Sequence, residues 1–220
     1  MASDMIKLAP RMLAAAELCG EGRRIIDVGC DHAELAIYLR QHGAERVIAS
    51  DVREGPLRMA AHNIEKYGVH GVELRLCDGL SGFSAADCDT VAICGMGGEL
   101  IASILEAAPW TAEGGVRLVL QPMSRAEHLR IWMARHGYAI EEERLVRDGG
   151  RLYSVMAARG GAEKHDTHGL FSQSLTRDKL FGEYAAALAA RYRREAEGKR
   201  LAGLDTSEEE RAMAILKEYL

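Results

Sequence analysis

Between residues 23 and 159, short apolar runs alternate with longer stretches in which apolar residues recur at helical spacing. The runs predict strands at 24–28, 46–51, 72–77, 90–94, 116–121, 138–146 and 152–158. The first five are compact and apolar throughout, as strands are when helices cover both faces of a parallel sheet. Helices are predicted between them at 33–41, 55–67, 99–107 and 125–136, with Pro56 suited to a first turn and Ser124 to an N-cap. This alternation reads as a doubly wound α/β sheet. The last two strands break the rhythm, because only Arg147-Asp-Gly-Gly-Arg151 separates them and Asp-Gly-Gly favours a tight hairpin.

An amphipathic helix at 6–18 precedes the sheet, and a polar linker at 160–173 follows it. The remainder is helical. A long helix is expected at 175–200 and a second at 207–220, opened by a Ser207-Glu-Glu-Glu210 capping box, with Gly203 between them. The expected organisation is therefore a Rossmann-like domain over residues 1–160 and a coiled-coil-like helical extension over 161–220.

Composition narrows the class. Of 220 residues, 48% are hydrophobic and 28% charged, the profile of a globular chain. No apolar run reaches the roughly 18 residues that would span a bilayer. The first residues lack the layout of a signal peptide, so a cytoplasmic location is expected. The five cysteines include no C-x-x-C pair, His128 and His136 are eight apart, and His165 and His168 sit in a polar stretch without nearby thiols. Reduced cysteines and no metal site are expected. A net charge of −5 excludes a wholly basic nucleic-acid binder but leaves room for a local basic face.

The candidate chemistry gathers at strand ends. Ile25-Ile-Asp-Val-Gly-Cys-Asp-His32 closes the first strand, and ligands of open α/β sheets bind outside such carboxyl ends. A dinucleotide loop would show G-x-G-x-x-G, its amides cradling a pyrophosphate. Here Gly29 stands alone among Asp27, Asp31 and Glu34. An acidic loop repels a pyrophosphate and suits the cationic methionine end of S-adenosylmethionine (SAM). Asp51 ends the second strand, where a carboxylate can accept bonds from ribose hydroxyls. Asp78 and Gly79 follow the third, and that carboxylate could accept a bond from an adenine amino group. Cys94-Gly-Met-Gly-Gly98 ends the fourth, and Gln121, at the end of the fifth, is expected to turn its amide toward substrate.

Asp27-Val-Gly-Cys-Asp-His-Ala33, Cys77-Asp-Gly-Leu80, Cys94-Gly-Met-Gly-Gly98 and Leu120-Gln-Pro122 together resemble the bacterial tRNA (adenine(22)-N(1))-methyltransferases, the TrmK family. The resemblance covers nearly the whole chain. It implies a class I SAM-dependent methyltransferase fold, with a mostly parallel seven-stranded sheet ending in an antiparallel hairpin and a C-terminal helical hairpin. It also implies methyl transfer from SAM to N1 of adenine 22 in the tRNA D-arm. Carried over by position, Asp27, Gly29, Cys30, His32, Asp51, Asn63, Asp78, Gly79, Gly95 and Met96 would surround the cofactor. Asp31 would also lie close to the incoming base. Since positive charge grows on the base as the methyl moves, a nearby carboxylate is expected to stabilise it, Asp31 in that role and Glu34 as a second contributor.

The chain departs from the family pattern twice. An aromatic residue usually follows D-H-A, where this chain has Glu34, Leu35 and Ala36; Q-P-N is here Gln121-Pro122-Met123. An alternative is thus a SAM enzyme acting on another RNA or a small molecule, or a SAM- or RNA-binding protein with reduced catalysis. Candidate RNA contacts are Lys7, Arg11, Arg23 and Arg24 near the first helix, and Arg191, Arg193, Arg194, Lys199 and Arg200 on the long C-terminal one. Nothing in the sequence settles the oligomeric state.

Overall fold

The computed structural model describes residues 5–113 and 115–220. Residues 1–4, the start of the segment read above for a signal peptide, lie outside the described residues. In chain order the elements are α1 (Pro10–Cys19), β1 (Arg24–Val28), α2 (Glu34–Gln41), β2 (Arg46–Asp51), α3 (Glu54–Lys66), β3 (Val72–Leu76), β4 (Thr90–Gly97) and α4 (Gly98–Glu106). They continue with β5 (Arg117–Ser124), α5 (Ala126–Arg135), β6 (Ala139–Asp148), β7 (Arg151–Arg159), α6 (Phe181–Leu201) and α7 (Ser207–Leu216).

The seven strands form one sheet in the order β3-β2-β1-β4-β5-β7-β6. β1 to β5 pair in parallel, and β7 runs antiparallel to both β5 and β6. This is the Rossmann-like arrangement expected of a SAM-dependent methyltransferase. Buried aliphatic residues of β1, β2 and β4 alternate between the two faces, so Ile26, Ile48 and Ile93 enter one core while Ile25, Val47 and Ala92 enter the other. The β6–β7 turn is a two-residue hairpin. Gly149 and Gly150 both take positive φ (55° and 78°), the backbone that a type I′ turn requires and that side chains resist.

A third core lies beneath α6 and α7, where Leu188, Tyr192 and Leu216 pack with Leu145 of β6. The stretch read as a polar linker contributes to it. Leu170 and Phe171 are buried there, so the linker is pinned to the body rather than free.

Several local expectations give way. The first helix starts at Pro10, not residue 6; Pro10 suits an N-terminal position, and the Ile6 amide donates instead to Gln41 Oε1 at 2.9 Å. Ser124 is the last residue of β5, and Arg125 takes the N-cap position of α5 in a left-handed conformation. The Ser207 capping box does not form: Thr206 is the N-cap, and Asp205 accepts bonds from both the amide and the hydroxyl of Ser207. The long helix begins at Phe181 after a separate 3-10 turn at Ser174–Arg177.

Candidate active site

A cavity of about 670 Å³ opens outside the carboxyl ends of β1, β2 and β4 and the turn after β3. It lies between β1 and β4, where the strand order reverses and open α/β sheets bind their ligands.

The loop from β1 to α2 forms its floor. The Gly29 and Cys30 amides both donate to the Ser50 carbonyl of β2, each at 2.8 Å. The Asn63 Nδ2 of α3 donates to the His32 carbonyl at 3.0 Å. Held from both sides, the loop keeps Asp31 and Ala33 at φ 48° and 58°, a region that non-glycine residues seldom adopt. Two amides that a pyrophosphate would need are thereby spent inside the fold, which disfavours a dinucleotide.

Carboxylates dominate the wall. Asp27, Asp51 and Asp78 reach the cavity from three successive strand ends, and Asp31 and Glu34 line it from the loop and the start of α2. Asp51 is buried and accepts the Arg53 amide at 2.9 Å, while Asp78, Asp31 and Glu34 are exposed. Asp27 is 3% exposed, and its Oδ2 has no hydrogen-bond partner. Burial pushes its carboxyl up to about 7, the Ala36 amide offsetting only part of that cost. A buried carboxyl with an unused oxygen at a cavity wall suits a cationic ligand group.

Gly29, Cys30, His32, Gly79, Gly95 and Met96 also line the cavity. The neighbouring thiols of Cys30, Cys77 and Cys94 are raised by burial and stay protonated, so none is a ready nucleophile. Among the described residues, no three His, Cys, Asp or Glu side chains form a metal-binding group.

Two expected site residues stand behind the wall rather than in it. Asn63 does not line the cavity and acts on it only through the His32 carbonyl. Gln121 is fully buried: its Oε1 accepts the Gly95 amide at 3.1 Å, and its Nε2 donates to the Pro122 carbonyl at 3.1 Å. It ties β5 to the glycine-rich end of β4 and does not face substrate.

The glycine run has a packing cause at Gly98. A side chain there would collide with the Arg125 carbonyl, so the absent Cβ lets the start of α5 close onto α4.

The wall also holds residues that the sequence reading assigned elsewhere or missed. Arg11 lines the cavity, pairs with Asp148 at 2.5 Å and lies over the Tyr153 ring. It is not a free RNA-facing cation. Val52 and Leu100 supply exposed apolar surface on the wall. Val52 carried a signal, being an apolar residue immediately beyond a strand-end carboxylate.

Of the other proposed RNA contacts, Arg23 pairs with Glu45, Arg24 donates to the Ala86 carbonyl, and both lie outside α1, as does Lys7. On α6, Arg191 pairs with Glu127, Lys199 with Glu209 and Arg200 with Glu210. Arg193 and Arg194 are exposed.

Comparison with known proteins agrees with this geometry. A family model described as a methyltransferase domain matches residues 8–156. The tRNA (adenine(22)-N(1))-methyltransferase of Bacillus subtilis (strain 168) is 35% identical over 183 residues, covering 82% of this chain and 76% of that one. The crystal structure of the B. subtilis m1A22 tRNA methyltransferase TrmK superposes with a TM-score of 0.76 at 29% identity, covering 97% of this chain and 95% of that one. A Streptococcus pneumoniae protein proposed as a tRNA (m1A22) methyltransferase, solved with S-adenosyl-L-methionine, gives 0.81 at 31% identity, covering 96% and 98%. The chain belongs to the tRNA (adenine(22)-N(1))-methyltransferase family of SAM-dependent methyltransferases.

Proposed function

We propose that this protein transfers the methyl group of SAM to N1 of adenine 22 in tRNA, using the acidic cavity at the β1/β4 reversal. The observation that carries this reading is the gathering of Asp27, Asp51 and Asp78 at three strand ends around one cavity, beside amides already spent on Ser50.

The residues fit the cofactor. Asp27, with its unused buried oxygen, would face the cationic methionine end; Asp51 would accept from the ribose and Asp78 from the adenine amino group. Gly29, Cys30, His32, Gly79, Gly95 and Met96 would complete the surface, with Asn63 holding the loop. When bound, SAM supplies an electrophilic methyl on a sulfonium that departs as a neutral thioether. The adenine N1 lone pair is available in the neutral base, so the protein need not remove a proton before transfer. Its task is alignment and charge: Asp31, with Glu34 beside it, would stabilise the positive charge that grows on the base. A base whose N1 edge is engaged must also leave its stack.

Residues 1–160 would form the catalytic domain and 161–220 a helical extension. Protonated cysteines and a tRNA substrate support a cytoplasmic location. Among the described residues, no helix is long and apolar enough to cross a membrane.

The test is transfer of labelled methyl from SAM to unmodified tRNA with nucleoside analysis. 1-Methyladenosine should appear and should vanish when adenine 22 is replaced. SAM binding without transfer to any tRNA would refute the reading.

Asp27 gives a second expectation. The folded chain keeps this proton to about 7, whereas the unfolded chain loses it near 3.8, so its contribution to stability falls as pH rises between those values. A cationic ligand favours the ionised carboxylate. SAM affinity should therefore rise with pH, by up to about tenfold per unit below about 7, and level off above it. Calorimetry across this range should show the slope in the native protein and its loss in Asp27→Asn; a slope that survives the substitution belongs to another group.

A further inference from the structure

We propose that a second cavity, beside the first, is the subsite that grips tRNA phosphates flanking the target adenine, with Arg125, Arg151 and Arg194 as its ligands. The proposal rests on the tRNA methyltransferase reading above.

The cavity measures about 540 Å³ and lies between the end of β5, the β6–β7 hairpin and α6. Its three arginines come from three separate elements: the N-cap of α5, the first residue of β7 and the middle of α6. All three are exposed, and among the described residues none of their guanidinium groups has a hydrogen-bond or ion-pair partner. Arginines close by are spent: Arg130 on Glu143, Arg147 on Glu183 and Arg191 on Glu127. Glu127 and Glu183, the carboxylates in the cavity wall, are thus already neutralised. What remains is three unpaired guanidinium groups around one concave site, complementary to a polyanion.

The two cavities share a partition. Arg11 lines the first, and its guanidinium lies 5.7 Å from the centre of the Tyr153 ring, which lines the second. Tyr153 and the partly exposed Met123 give the second cavity apolar surface against which a base can lie. The first cavity is acidic and suits a cation; the second is basic and suits the chain that presents the base.

Backbone strain points the same way. Arg125 holds φ 54° and ψ 36°, a conformation that glycine or asparagine adopts more easily. A long cation kept in such a position, where glycine or asparagine would be less strained, marks a place where the side chain is needed.

The test is binding of unmodified tRNA by the full chain across a salt series, with SAM affinity and steady-state methylation measured on the same variants. Combined Arg125→Gln, Arg151→Gln and Arg194→Gln should weaken tRNA binding at least about tenfold and flatten the plot of log affinity against log salt by about 2 to 3. KM for tRNA should rise, while SAM affinity and kcat at saturating tRNA stay within about twofold. Arg151→Gln alone, at a hairpin where no core packing is at risk, should flatten the plot by about 1. Arg211→Gln, on the exposed side of α7, should change neither. Native tRNA affinity and salt slope in the triple variant, with methylation intact in the native protein, overturns the subsite alone. An equal loss in Arg211→Gln also overturns it, because the effect is then general charge. If the native protein binds SAM but methylates no tRNA, the parent reading fails and the subsite falls with it.

Discussion

Replacing Asp31 by asparagine is expected to lower kcat for tRNA methylation by roughly 10²–10³-fold while leaving SAM affinity within about threefold. The choice of asparagine matters. Asp31 sits at φ 48°, where asparagine is tolerated and alanine adds strain, so Asp31→Asn removes the charge and keeps the loop. The carboxylate is exposed at the cavity, and the His32 ring lies beside it, with Nε2 3.5 Å away. It is therefore free to meet a charge that exists only as the methyl moves, and that differential interaction is what accelerates a chemical step. Glu34→Gln should cost less, about tenfold, because Glu34 is the second contributor. Single-turnover methyl transfer with bound SAM measures both. An undiminished rate in Asp31→Asn, with SAM bound normally, would move the role to Glu34.

Arg130→Met should destabilise the fold by about 3–5 kcal/mol. The Arg130 side chain is 2% exposed and Glu143 fully buried, and Nη2 and Nε hold Glu143 at 2.5 and 3.0 Å. Nη1 donates to the carbonyls of Gly169 and Leu170, and Nη2 reaches Ser154 at 3.3 Å and the Tyr184 hydroxyl at 3.4 Å. Burial opposes charge on Arg130, but Glu143 and Tyr184 more than offset it and hold the guanidinium charged. One side chain therefore joins α5, β6, β7, the 160–173 segment and α6. Removing it strands a buried carboxylate and the Gly169 carbonyl, and leaves the Leu170 carbonyl with the Tyr184 hydroxyl at 3.4 Å. Urea unfolding followed by tryptophan fluorescence gives the loss. Adding Glu143→Leu should return much of it, since a packed apolar pair can replace a buried ion pair. A loss below about 1 kcal/mol would mean that water reaches Glu143 in the variant.

The sheet was legible where apolar runs end sharply. The limits of β1 and β2 match the expectation residue for residue, because charged or small residues bracket each run. β4 runs on through Gly95-Met-Gly97 and β5 through Met123-Ser124, past the expected ends. Glycine and proline conceal extended backbone, and register shifts at Met96 interrupt the ladder there. Helix starts were less legible: Ser124 and Ser207 have the chemistry of caps, but capping requires a backbone path that composition does not specify. Leu170 and Phe171 carry no period in a polar stretch, so their burial was hidden.

The strand-end carboxylates Asp27, Asp51 and Asp78 were readable because parallel strands deliver their carboxyl ends to one edge. Gln121 and Asn63 were not, since which way an amide turns is decided by packing. The basic groove was the least legible feature. Five cations on α6 look alike in sequence, and only the tertiary positions of Glu127, Glu209 and Glu210 determine which are neutralised.

Gly98 ties the history of one position to that of another. No side chain fits there while the Arg125 carbonyl keeps its place, and Arg125 cannot withdraw without changing the wall of the basic groove. A side chain at 98 is therefore order-dependent on the backbone of the α5 start in any descendant of this sequence. The start of α5 must retreat first, and a residue other than glycine can be accepted only afterwards. An experimenter should find that no side-chain exchange at 125 makes the glycine dispensable by itself, because the colliding carbonyl belongs to the backbone that every residue there carries.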